Sequence, residues 1–142
     1  MPYSSDSDLI KVQQDIMDLS VPDWADQHIE AERVINRDVE TKWYRPVSSD
    51  IGVTAIFNPA LIIATDLTML SVFKALELAY LFMVHNTTDE HFIKKMELFR
   101  LRYETELESI ISNGLVYDWL GNGDTSQPIY SANQSRFRRL VR

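Results

Sequence analysis

The sequence predicts an all-α protein: a small helical bundle built on a long helical hairpin, with an irregular loop before it and an extended C-terminal arm after it. Three observations carry this. Apolar residues recur at three- and four-residue steps through much of the first 112 positions, which is the period of helices. Stop and cap signals bracket two long stretches, Asp66–His85 and Asp89–Ser112. After Gly114 the periodicity ends, and turn residues and arginines take over. The division expected is a helical domain over residues 1–114 and a turn with an arm over 115–142.

In chain order, Asp8 to Leu19 reads as a short amphipathic helix with Leu9, Val12, Ile16 and Leu19 on one side. Pro22 and Asp23 open a second helix, Pro22 near its first position and Asp23 favourable to the helix dipole. Its apolar line is Trp24, His28, Ala31, Ile35, Val39 and Trp43, and Arg45-Pro46 is expected to end it. Val47 to Phe57 reads as loop: Ser48-Ser49-Asp50 and Gly52 are turn residues, and Val53–Phe57 has the composition of an extended segment. Asn58-Pro59 then offers a cap and first-turn proline for a brief helix through Ile63.

The first arm of the hairpin is apolar on nearly every side, interrupted only by Ser71, Lys74 and Glu77, which are expected to form one narrow wet stripe. Such a helix must be covered almost all round. The second arm is amphipathic through Phe92, Met96, Phe99, Tyr103, Leu107, Ile110 and Ile111. Thr87 and Glu90 read as its capping box, and Asn113-Gly114 as its stop. Arg100 with Glu104, and Arg102 with Glu106, are spaced for i,i+4 pairing.

Composition bounds the function. With no cysteine there is no disulfide, thiol nucleophile or cysteine metal site. The longest uninterrupted apolar run, Leu78–Val84, is far short of a membrane span, so a soluble protein without membrane contact is expected. All 21 acidic residues precede position 125 against ten basic ones, a net −11; the last 18 residues carry four arginines and no acid. An acidic body repels nucleic acid, while a basic end on it suggests an arm that seeks an acidic surface.

No catalytic pattern is present: His28, His85 and His91 belong to no metal motif, and no phosphate loop or nucleophile elbow occurs. Catalytic residues, cofactors and metals are therefore expected to be none. The run from Asp118 begins like a calcium loop, but Leu120 and Ile129 occupy ligand positions, which favours a structural turn. Trp24 and Trp43 read as core; Trp119, outside the helices, reads as an interface residue.

The order of parts then becomes recognisable. An acidic helix ends in Lys42-Trp43-Tyr44, a brief helix follows at Phe57-Asn58-Pro59, and the hairpin comes next. A Tyr117-Asp118-Trp119 turn with glycines and an end reading Arg138-Arg139-Leu140-Val141-Arg142 complete it. Together these resemble the small head–tail connector (adaptor, or head-completion) proteins of tailed bacteriophages. Leu120 departs from the more aspartate-rich turn of similar sequences. The resemblance implies a homo-oligomeric ring, commonly of twelve subunits, beneath the portal in the virion neck. The next neck or tail component would sit on its other face, and DNA would pass through without specific binding. It implies a portal-docking arm, here Trp119, Arg136, Phe137, Arg138, Arg139, Leu140, Val141 and Arg142, while Phe57, Phe73, Leu76 and Tyr80 are candidates for the surface between subunits. The alternative expectation is a dimeric helical regulator or chaperone-like protein that binds partners through the apolar hairpin. A nucleic-acid-binding protein using the basic end ranks below both, since no recognition helix accompanies the arginines.

Overall fold

A computed structural model describes residues 2–124 and 126–132. The protein is all-α, and no β-strand forms among the described residues. Its helices are α1 (Asp6–Val12), α2 (Ala25–Val39), α3 (Arg45–Ile51), α4 (Thr68–Asn86) and α5 (Glu90–Asn113), with short 3-10 turns between them. The long hairpin is α4 and α5, within two residues of the bounds expected. The chain divides into two compact units that interleave in sequence, not at residue 114. One comprises the residues up to Ile35 with Leu67–Glu106; the other comprises Asn36–Asp66 with the described residues from Leu107 onward.

In the first unit, α1 is half the length expected. Gln13 is extended, and a separate 3-10 turn, Ile16–Asp18, takes over. The apolar side survives the break: Leu9 and Ile16 are fully buried, with Val12 and Leu19 packed beside them. The core adds Trp24, just before α2, and Ala31 within it, Val72, Ala75, Leu76, Ala79 and Tyr80 from α4, and Phe99 from α5. Tyr80 stacks on Phe99 with ring centroids 5.9 Å apart. Each buried aliphatic side chain contributes about 1.5–3 kcal/mol relative to exposure.

The hairpin's turn uses different caps from those expected. Thr87 closes α4, its hydroxyl donating to Met83 O at 3.0 Å, whereas the side chain of Asp89 accepts the His91 amide at 2.9 Å. A threonine immediately after α4 serves the carbonyls it has just left, so the acid just before α5 becomes the cap of α5.

In the second unit, Pro46 does not end the helix. The chain passes from α2 through a π-helical segment, Glu40–Tyr44, directly into α3. There the Arg45 amide bonds Glu40 O, five residues back. The wider turn relieves the clash that a proline ring makes with the carbonyl four residues earlier, and Pro46 falls in the first turn of α3, where its missing N–H costs little. The helix stops at Gly52, whose φ of +79° only glycine adopts readily. Residues 53–58 remain loop, and Asn58 caps a single 3-10 turn, Pro59–Leu61. Among the described residues beyond α5 the chain is not a free arm: Tyr117 bridges Ile62, Tyr130 bridges Leu115, and Leu115, Tyr117 and Ala132 are buried. Gly114 is required at this return, because a Cβ there would lie 2.6 Å from the Tyr130 carbonyl oxygen.

Candidate functional site

The second unit is organised by six aromatic rings drawn from four places in the sequence: Trp43, Tyr44, Phe57, Tyr117, Trp119 and Tyr130. The π segment places Trp43 and Tyr44, adjacent residues, both inside. Trp119 stacks on Tyr44 at 5.5 Å and meets Tyr117 edge-on at 4.7 Å. Phe57 stacks on Tyr117, and Tyr130 meets Trp119 edge-on. Polar tips tie the loops to this knot. Trp43 Nε1 donates to Tyr130 O at 2.7 Å, Tyr44 Oη donates to Ala55 O at 2.6 Å, and Tyr117 Oη accepts the Asn58 amide at 3.1 Å. Burial first, and Tyr117 second, push the Tyr44 phenol up. Trp119 is half-buried, and its Nε1 finds no acceptor among the described residues. Ile56, Leu120 and Ile129, each next in sequence to a ring of the knot, are exposed, Ile56 by 89%.

The turn after Trp119 closes on Asp118. Its carboxylate accepts the amides of Gly123 at 2.8 Å and Asn122 at 3.3 Å, and the Gln127 side chain at 2.7 Å. These donors, the Gly123 amide foremost, hold the carboxyl below its usual 3.8. N–H groups thus stand where a calcium loop would hold the ion. Among the described residues no cluster of acidic or histidine side chains is arranged to hold a metal.

In the first unit the polarity of α4 is the reverse of expectation. Ser71, Lys74 and Glu77 turn inward, because each has a partner there. Ser71 Oγ lies 2.7 Å from Ser4 Oγ, which in turn lies 2.8 Å from His28 Nδ1, while His28 Nε2 lies 3.0 Å from Asp6 Oδ1. This Asp–His–Ser order resembles a nucleophilic relay, yet the Ser4 hydroxyl is engaged by both His28 and Ser71 and is buried. Its evident work is to clamp the N-terminal segment to α2 and α4. Farther along, Glu77 pairs with Lys74 and lies 3.5 Å from Arg100, and Lys74 sits 4.2 Å above the Tyr103 ring. Arg100 thus turns to Glu77 instead of Glu104, and Arg102 lies over the Phe99 ring instead of pairing with Glu106.

With its polar residues inside, α4 presents Met69, Leu81 and Phe82 outward. Two open grooves result. One is floored by Leu78, Leu81 and Phe82 and walled by Asp26, Gln27 and Glu30 of α2, with His85 at its end. The other lies between Phe73 of α4 and Leu98, Leu101, Arg102, Thr105 and Glu106 of α5. Leu101 there is 61% exposed.

The expected interface residues are thereby sorted. Leu76 and Tyr80 are 0 and 2% exposed, covered by the chain's own core. Phe73 and Phe57 keep part of their surface, Phe73 in a groove and Phe57 in the knot. Arg136, Phe137, Arg138, Arg139, Leu140, Val141 and Arg142 lie outside the described residues. Missed by sequence reasoning were Leu98 and Leu101, a second apolar stripe on α5 whose i,i+3 spacing was its only signal, and the outward Leu81 and Phe82. The stretch Thr65–Asn86, which contains α4, is the one helix among the described residues long and apolar enough to cross a membrane, and half of it is buried inside the protein. No protein-family profile, characterised protein or solved structure matches the chain.

Proposed function

We propose that this chain is a structural virion protein, a head–tail connector that assembles as a ring beneath the portal, completes the DNA-filled head and joins it to the neck or tail. The observation that carries the reading is the position of the Tyr117-Asp118-Trp119 turn. This turn holds much of the resemblance, and it is also the hub of the second unit, fixing the chain as far as Ala132. A basic, apolar C-terminal segment therefore follows from a firm base, and exposed Ile56, Leu120 and Ile129 beside that base offer apolar surface to a portal. Guanidinium groups would fix register on an acidic partner while Phe137, Leu140 and Val141 supply burial.

The test is completion of heads. Full-length protein and a chain ending at Ala132 are added to DNA-filled heads that lack this component, and heads that keep their DNA and accept tails are counted. The full chain should complete heads and the shortened one should not. Equal completion by both removes the arm from the reading, and no completion by either removes the connector reading itself.

A second reading, a small closed oligomer acting through the hairpin, is favoured by the groove of Phe73, Leu98 and Leu101. It expects a dimer in solution that Leu101→Asp returns to monomer, with no dependence on residues 136–142.

A further inference from the structure

We propose that the groove between α2 and α4 is the receptor for residues 136–142 of a neighbouring copy of this chain. The groove exists because α4 spends its polar residues inward and leaves Leu81 and Phe82 outside. Its floor is preformed: Phe82 is held edge-on by buried Trp24, ring centroids 6.1 Å apart. Its α2 wall is the acidic side of the unit. Residues 1–35 carry eight acidic and two basic side chains, whereas 67–106 carry six and five. Asp26 and Glu30 project that charge into the groove, Glu30 sharing its carboxylate with Arg33 at the outer edge.

Residues 136–142 supply the complement: four arginines, an intervening Phe137, Leu140 and Val141, and no acid. Apolar side chains on the floor and guanidinium groups on the wall would satisfy both at once, and a carboxylate–guanidinium pair over a dry floor is stronger than one in open water. Groove and segment are different patches, so the contact is heterologous; repeated from copy to copy it either closes a ring or runs on as a filament. The contact belongs to the free protein and does not depend on a portal.

The experiment is sedimentation velocity on full-length chains at low and physiological salt. The parent should form species larger than a dimer that shrink as salt rises. Asp26→Lys with Glu30→Lys disables the groove and leaves the segment; Arg138→Gln with Arg139→Gln disables the segment and leaves the groove. Each variant alone should sediment as a monomer, its association weakened about tenfold or more. Mixed one to one, the two retain a single competent groove and a single competent segment per pair, so they should form a dimer and nothing larger. Circular dichroism equal to the parent's confirms that both are folded. A monomeric parent overturns the proposal, as does an oligomer indifferent to both pairs of changes. A mixture that stays monomeric also overturns it, because the contact would then lie within one chain. None of these outcomes bears on head completion, which is scored separately.

Discussion

The two units reach stability by opposite routes. The first packs long helices through aliphatic stripes and places a polar layer, Ser4, Asp6, His28, Ser71, Lys74 and Glu77, against that packing. The second has little regular backbone outside the run from the end of α2 through the π segment to α3, and the end of α5, and gathers loops around rings. Where helices satisfy their own amides and carbonyls, side chains are free to make a core. Where loops do not, aromatic side chains must do both tasks, packing with the ring and serving the backbone with the polar tip. The comparison teaches that a buried polar group in the first unit fixes which face of a helix turns inward, whereas in the second it fixes which loops meet.

The contrast can be broken most severely at Leu76. Leu76→Asp places an unpaired carboxylate in the aliphatic core, at a cost of several kcal/mol, and should abolish folding as read by loss of helical circular dichroism. Next comes Glu77→Leu, which strips Lys74 of its buried partner. A destabilisation of about 3–5 kcal/mol is expected in urea unfolding, while Lys74→Met with Glu77→Leu together should recover most of it. In the second unit, Trp43→Phe and Trp119→Phe remove the same ring area but not the same bond. Trp43 loses its donation to Tyr130 O and Trp119 loses none that the described residues make, so Trp43→Phe should cost about 1–3 kcal/mol more.

The smallest effects are those of pH. Burial, with a minor contribution from Asp15, pushes the Tyr80 phenol up to about 12. An unfolded tyrosine ionises near pH ~10. Its contribution is therefore whole below that value and lost as pH rises to about 12. Phenolate absorbance and loss of helicity should appear together in that window. Asp118 works in the opposite sense: its carboxyl is held below 3.8, so its contribution is present above that value and fades as pH falls beneath it. Because this carboxylate keeps contact with solvent at the surface, the global transition should barely move, and faster exchange of the Gly123 amide should be the visible sign.

What was legible in the sequence follows the same division. The line Trp24, His28, Ala31, Ile35, Val39 and Trp43 is buried at every position, and the hairpin stands within two residues of its expected bounds, because a 3.6-residue repeat reports directly on which face is covered. The inward turn of Ser71, Lys74 and Glu77 was not legible. Ser71 is drawn in by Ser4, Glu77 by Arg100 and Lys74 by the Tyr103 ring, all far along the chain, and no local pattern announces such partners. The aromatic knot was hidden for a related reason: Trp43, Phe57, Tyr117 and Tyr130 are separated by stretches with no shared period. Of the candidate site, Trp119 was singled out for lying outside the helices, but its neighbours could only be seen once the chain was folded. Pro46 misled because a proline usually ends a helix, and a π turn just before it removes the reason.

That π turn can also be read as an insertion. A helix that carries one residue more than its straight counterpart gives every later side chain a rotation of roughly 100° about the axis. Here the added residue lets Trp43 and Tyr44 both face inward, with Val47 and Ser48 following on the same side. Deleting Thr41, with no change in any side chain of the knot, would swing Tyr44 away from the Ala55 carbonyl and set Pro46 against an ordinary helical turn. The second unit thus tolerates substitution along this stretch more readily than a change in length, and related chains that keep the knot should keep the spacing from Val39 to Val47 even where the residues between them differ.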